Sequence, residues 1–241
     1  MIDVAFAIPG DVDSPTGGYA YDRKVLALLP DYGVSAHRVE LPGGYPNPSD
    51  GDLTRTSQLF AQLAPDTVTM VDGLALGAIP PETVNVIQQP LVALVHHPLA
   101  YETGISRAAE RQFRAFESHA LSVVLHVIVS SATTAGLLTR EFGVPPKNIT
   151  VAEPGTSTAI RAQGSGSATH VQLLAVGSLV PRKGYADLIE ALSTIQNLNW
   201  RLVIVGAADR DTACANDIRQ RLLKSGMRGR ITLAGAISDR E

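Results

Sequence analysis

A single cysteine, Cys214, stands among 241 residues. No intrachain disulfide can form, and without a CxxC pair or a Cys/His cluster no structural zinc site is expected. A reducing compartment, the cytoplasm, fits that usage. Aromatic residues make up only 5% of the chain, and 20 Lys plus Arg fall below 23 Asp plus Glu, for a net charge of −3 and an isoelectric point near 6.1. Few stacking platforms and no basic field argue against nucleic acid as a partner. Long hydrophobic runs are missing as well. The longest apolar stretch, Leu121 to Val129, is broken by Ser122 and His126 and falls far short of the roughly 20 residues needed to span a bilayer. The N-terminus runs straight into Val4-Ala-Phe-Ala-Ile8, without the basic region and apolar core of a secretory signal. A soluble protein is expected, with peripheral membrane contact left open.

What is present is enough to bury real cores: 45% hydrophobic residues and a mean hydropathy of +0.10. Short β-branched runs alternate with longer stretches of helical period, the pattern of βα units and hence of a parallel sheet covered by helices. The fold class is read as α/β. Strands are expected at 3–8, 34–40, 67–71, 91–95, 123–129, 149–152, 171–176, 200–205 and 230–234, and helices at 18–29, 53–64, 106–120, 132–142, 184–196 and 212–225. The segment from Pro154 to His170 contains Gly164-Ser-Gly-Ser167, a composition that favours a linker. Domains are therefore expected over 1–155 and 171–241, joined by 156–170. The second group supplies only three strands, so an unfinished second domain with an uncovered sheet edge is expected.

The loop Gly177-Ser-Leu-Val-Pro-Arg-Lys-Gly184 lies between the apolar run Val171–Val176 and an amphipathic stretch from Tyr185 to Ile195. A strand that turns through glycine into a helix leaves backbone N–H groups at the positive end of the helix dipole, and Arg182 and Lys183 add full charges there. It reads as a phosphate seat or as an ordinary strand-to-helix turn with solvated basic residues, the latter favoured on this loop alone. The order Lys-Gly excludes a P-loop, and the absence of a third spaced glycine excludes a dinucleotide fingerprint.

Three further candidates lie where α/β proteins bind ligands, at the carboxyl ends of strands. Gly17 and Gly18 precede a helix and admit close approach by an anion or a sugar hydroxyl, or merely shape the loop. His96 and His97 end the strand Leu91–Val95 and point to opposite faces, which argues against a shared metal and leaves one imidazole, His96, as a hydrogen-bond partner for a ligand. Ser130 and Ser131 read first as helix N-cap chemistry, with Ser130 as a secondary ligand contact. No Gly-x-Ser-x-Gly elbow is present, so nucleophilic hydrolysis is not supported.

These segments, in this order, resemble the group 1 (family-4) glycosyltransferases of GT-B architecture. The resemblance rests on Gly17-Gly18, on Val95-His-His-Pro98 and on the turn Val151-Ala-Glu-Pro-Gly-Thr156. Its most specific part is Val176-Gly-Ser-Leu-Val-Pro-Arg-Lys-Gly184 with Leu188-Ile-Glu-Ala-Leu192, Leu202-Val-Ile-Val-Gly206 and Ile231-Thr-Leu-Ala-Gly235. It implies two Rossmann-like domains and a retaining transfer of sugar from a nucleotide-diphosphate donor to a glycan, glycolipid or small-molecule acceptor held mainly by the first domain. On that pattern Lys183 and Arg182 neutralise the diphosphate, Gly17 and Gly18 approach it with backbone amides, and His96 hydrogen-bonds the donor sugar. His97 and Ser130 are sugar or acceptor contacts. No metal and no cofactor beyond the nucleotide-sugar substrate is implied. Ser178 stands where the family usually has arginine, and the family's paired glutamates would follow residue 241, so a C-terminally truncated enzyme is expected. A non-catalytic glycan- or partner-binding remnant and a GT-B-like epimerase or phosphorylase are the alternatives.

Overall fold

The computed structural model describes residues 2–166 and 169–237. The chain divides into two compact units, Met1–Thr156 and Ser157–Glu241.

In the first unit, β1 (Ile2–Pro9) leads into α1 (Gly17–Leu28), β2 (Val34–Leu41) and α2 (Asp50–Ala61). Strand β3 (Val68–Asp72) is followed by two single-turn helices, α3 (Gly73–Leu76) and α4 (Pro81–Val84), and by β4 (Leu91–Val95). Then come α5 (Arg107–Val123), β5 (His126–Val129), α6 (Ala132–Phe142) and β6 (Ile149–Val151). The strands form one parallel sheet in the order β2-β1-β3-β4-β5-β6. The chain moves outward from β1 to β2 and then returns to the other side of β1, so a topological switch point lies between β1 and β3. Crossovers diverge there and leave a crevice at the carboxyl ends of the strands.

Alternate residues of the central strands feed two cores, as the period of two in a strand requires. Ala5, Ala7, Val71, Ala93 and Val95 point to the face that packs Phe60 of α2, Phe113 and Ala120 of α5 and Leu138 of α6. Val4, Phe6, Ile8, Met70 and Leu94 point to the other face, under Tyr19, Tyr21, Val25 and Leu26 of α1. Helix starts follow the capping chemistry of the sequence: Thr16, Ser49, Ser106 and Ser131 each accept a backbone N–H with the side chain.

The second unit holds β7 (Val171–Val176), α7 (Tyr185–Ser193), β8 (Trp200–Val205), α8 (Thr212–Lys224) and β9 (Ile231–Gly235). Its sheet is parallel in the order β7-β8-β9. Leu202, Ile204 and Ile231 pack on Ile189 and Leu192 of α7 and on Ala215, Ile218 and Leu222 of α8. On β7, Leu174 and Val176 remain exposed.

The α/β class and the parallel sheets agree with the sequence. Two local expectations are corrected. The strand expected over 123–129 begins only at His126, because α5 runs on through Leu121, Ser122 and Val123; the mostly apolar run there carries no period that separates the end of a helix from a buried strand. The helix expected over 53–64 spans Asp50–Ala61 instead, since Ser49 and Asp52 form a reciprocal capping box that starts it earlier.

Candidate functional site

In the first unit the connection between Pro9 of β1 and Gly17 of α1 is fastened by side chains. The Tyr19 hydroxyl donates to the Pro9 carbonyl at 2.8 Å, and the guanidinium groups of Arg38 and Arg23 donate to the carbonyls of Gly10 and Val12. The segment therefore delivers Gly17 and Gly18 to the head of α1 as a held backbone. The Thr16 side chain accepts the Tyr19 N–H, and the Thr16 carbonyl takes the Ala20 N–H. A Cβ on Gly17 would meet nothing within 4 Å. A Cβ on Gly18 would lie 3.3 Å from Cδ2 of His96. Gly18 is thus glycine in order to seat an imidazole, a reason the sequence alone did not supply.

His96 leaves the carboxyl end of β4 and turns its Nε2 inward, 2.9 Å from Asp22 Oδ1 and 3.7 Å from Asp72 Oδ2. Asp22 lies four residues after Gly18 on α1, so the two share one helix face and the ring covers both. Asp72 ends β3 at the switch point and caps α3 through its Oδ1, which accepts the Leu74 N–H at 2.6 Å. Tyr21 meets the imidazole edge-on at 5.2 Å between centroids, and its hydroxyl donates to the Ala152 carbonyl beyond β6. The hydroxyls of Ser130 and Thr134 approach the His96 carbonyl, each at 3.4 Å.

Both carboxylates are fully buried, whereas about a quarter (23%) of the His96 side chain remains exposed. Burial, and then the neighbouring charge and hydrogen bond of Asp22, push the Asp72 carboxyl up to about 8. For His96, burial lowers the proton affinity, but the hydrogen bond and then the charge of Asp22 outweigh it and leave the ring above its ordinary value. A second perturbed carboxyl supports the same loop. Glu117 of α5 is buried and accepts the N–H groups of Leu99 and Ala100 at 2.6 and 3.0 Å, fixing the chain just past His96-His97-Pro98. Burial raises it to about 7 against those two hydrogen bonds and the charge of Arg114.

His97 points away, exposed, with Nε2 3.1 Å from the Tyr101 carbonyl. Ser131 rather than Ser130 caps α6. The structure therefore brings together Gly17, Gly18, His96 and Ser130 and leaves His97 aside. Asp22, Asp72 and Glu117 were not visible as site residues in the sequence. Asp72 alone had a readable signal, an acid at the carboxyl end of an inner strand. Asp22, Asp72 and His96 are the one group of three potential metal-ligating side chains among the described residues, with ligand atoms within 4.8 Å of one another. Their 2.9 Å contact has the length of a proton-bearing N–H···O bond.

In the second unit the loop after β7 is shaped by glycine. Gly177 has φ of +151° and Gly184 +65°, and between them Pro181–Lys183 forms one 3-10 turn. The Lys183 stem folds across Gly177, where a Cβ would stand 3.1 Å from its Cε. The Tyr185 hydroxyl donates to the Gly177 carbonyl at 2.7 Å. Gly206, at the end of β8, lies so close that any Cβ would overlap that same carbonyl. Among the described residues no carboxylate comes within ion-pair distance of Lys183, and α7 begins without a side-chain cap. Arg182 sits on the same turn, exposed. A lysine ammonium held beside uncapped helix N–H groups suits an anion.

Residues 157–241 match the family model of glycosyl transferases group 1. That match spans the second unit. A comparison with curated proteins finds no match. Among solved structures, a glycosyltransferase from Rickettsia africae superimposes with a TM-score of 0.70 at 14% identity, covering 99% of this chain and 69% of the other. Anabaena HepE in complex with UDP and glucose gives 0.66 at 16% identity, covering 99% and 70%. The apo form of the lipopolysaccharide outer core galactosyltransferase WaaB gives 0.65 at 12%, covering 99% and 69%. The fold is that of the GT-B glycosyltransferases, and the chain spans about 70% of the length of these structures. Among the described residues no helix is long and apolar enough to cross a membrane.

Proposed function

We propose that the protein is a retaining glycosyltransferase that moves a sugar from a nucleotide-diphosphate donor to a hydroxyl-bearing acceptor. The observation that carries this reading is the match of residues 157–241 to the group 1 family over a loop that holds Lys183 across Gly177 with no carboxylate paired to it among the described residues. Departure of a nucleoside diphosphate builds negative charge on its phosphate as the glycosidic bond breaks. A lysine and helix N–H groups fixed in place beforehand stabilise that charge more than they stabilise the bound substrate.

In this reading the second unit binds the donor through Lys183 and Arg182. The strand-end crevice of the first unit, with Gly17, Gly18, His96 and Ser130, takes sugar or acceptor hydroxyls. HepE has been crystallised with UDP and with UDP-glucose, which supports a nucleotide-sugar as the class of donor. The protein's own residues supply the leaving-group charge, with no metal step required, and the single free cysteine suits a cytoplasmic setting.

The test is stereochemical. With a nucleotide α-glycoside as donor, proton NMR of the first-formed product is expected to show the α anomer. A β product, or sugar release that is identical in the Lys183→Ala variant, sinks the proposal.

A further inference from the structure

We propose that Asp22 and Asp72 are the positioning residues of His96: Asp22 holds the ring as an imidazolium through the 2.9 Å Nε2 bond, Asp72 holds a proton against Asp22, and Nδ1 is left for an anionic or electron-rich group of the substrate. The inference rests on the reading of His96 as a substrate contact and adds which charge the ring brings and what keeps it there.

The argument is one of charge balance in a buried place. Among the described residues, the polar groups facing His96 come from α1, β3, the end of β5 and the start of α6. From α1 come Asp22, the edge of Tyr21 and the bare backbone of Gly18; from β3 comes Asp72; from the end of β5 and the start of α6 come the neutral hydroxyls of Ser130 and Thr134 at its carbonyl. Neither lysine nor arginine is among them. Two ionised carboxylates would face one imidazolium, an excess buried charge that proteins avoid by keeping a proton. Asp22 Oδ2 identifies the carrier. It is buried, and among the described residues no donor is in reach unless the neighbouring acid is protonated. Asp72 is that acid: its Oδ1 already accepts the Leu74 N–H, and its Oδ2 stands 3.7 Å from the ring, too far for a hydrogen bond. A proton on Asp72 directed at Asp22 Oδ2 satisfies both groups and leaves Asp22 and His96 as a neutral ion pair. Burial and the Asp22 charge, which raise Asp72, support that distribution.

The ring is fixed on its other edges by Gly18 and Tyr21, and Nδ1 has no protein partner among the described residues. An imidazolium N–H offered there attracts a phosphate oxygen, or a sugar oxygen gaining electron density, more strongly than a neutral ring does.

The test is the titration of His96 in the full chain, followed by proton–nitrogen NMR of the ring, with His96→Gln to assign the signal among the six histidines. In the wild type both ring nitrogens are expected to be protonated at neutral pH and to titrate above the ordinary value of 6.5. Asp22→Asn is expected to drop that titration by more than about one unit, because the hydrogen bond and the nearest charge that oppose burial are removed and only the more distant Asp72 remains. Asp72→Asn imitates the protonated acid, retains a good N-cap side chain and is expected to leave the titration nearly in place. A purely structural role for either residue would not move the ring's proton affinity in this pattern. An unchanged titration in Asp22→Asn, or an equal fall in Asp72→Asn, overturns the proposal. Should Asp22→Asn not fold, carbon NMR of the Asp72 carboxyl in the wild type decides instead: titration in the ordinary carboxylate range overturns it. Stoichiometric zinc binding that displaces the His96 proton also overturns it, by assigning the cluster to a cation. None of these readings involves a nucleotide, so they stand or fall separately from donor binding.

Discussion

The imidazole of His96 rests on Gly18, where a Cβ would come within 3.3 Å of its Cδ2 and 3.6 Å of its Nε2. A glycine next to a helix start is usually read as an invitation to a phosphate. Here one glycine of the pair serves the ring and the other, Gly17, has open space above it.

The two glycines are therefore expected to separate by mutation. Gly18→Ala presses on a ring already held by Asp22 and Tyr21 and is expected to cost about 1 kcal/mol, while shifting the His96 ring signals. Gly17→Ala meets nothing and is expected to leave stability within about 0.5 kcal/mol, because alanine suits the first helical position. Urea denaturation of both variants checks this, and equal costs would contradict it.

Gly206→Ala is expected to be the most damaging small substitution in the second unit. Its new methyl group overlaps the Gly177 carbonyl, which is backbone and is itself held by the Tyr185 hydroxyl, so strands β7 and β8 must part. A loss of about 3 kcal/mol or more is expected. Trp200, the only tryptophan, is buried in this unit with its indole N–H on the Ile195 carbonyl, so its fluorescence reports the loss directly. A wild-type melting profile in that signal would contradict the account.

Three groups in the first unit make its stability depend on pH with one sign. Asp72, raised to about 8, and Glu117, raised to about 7, hold protons in the folded state that the unfolded chain has already released. His96, raised above 6.5, contributes stability below that value that is lost as pH rises through its folded value. Each binds more protons folded than unfolded, so stability falls with rising pH across the window from about 5 to about 8. Circular dichroism is expected to show the melting point of this unit rising by about 3 °C or more as pH is lowered from 8 to 5.5. A flat or opposite trend would count against the buried cluster.

Glu117→Gln separates the second of these groups from the first. An amide has one acceptor oxygen for the two N–H groups of Leu99 and Ala100, so one buried donor loses its partner, at a cost of about 1–3 kcal/mol. The variant is expected to lose the part of the pH dependence below about 7 and to retain the part set by Asp72 and His96. Retention of the full wild-type slope would show that Glu117 does not titrate in that window.

How much of this was legible in advance depended on how local the signal was. The βα alternation, the Gly177–Gly184 loop and the strand-end position of His96 are written in contiguous residues, and the fold followed from them. Asp22 was invisible because an acid inside an amphipathic helix looks like any solvated residue; only the pairing of β1, β3 and β4 brings it 2.9 Å from a histidine 74 residues away. Glu117 was hidden in the same way, being buried through a loop that its own carboxylate organises. His97, adjacent in sequence to His96, was named with it and lies outside the cluster, because consecutive residues at the end of a strand diverge.

The account turns most directly on whether Lys183 binds a nucleoside diphosphate, and calorimetric titration of the chain with UDP, GDP and ADP measures that. Binding that prefers one base and weakens at least about tenfold in Lys183→Ala is the predicted result, the loss expected for removing one charge-assisted contact to phosphate. Folded protein that binds none of the three, or binds them equally well without Lys183, would contradict it.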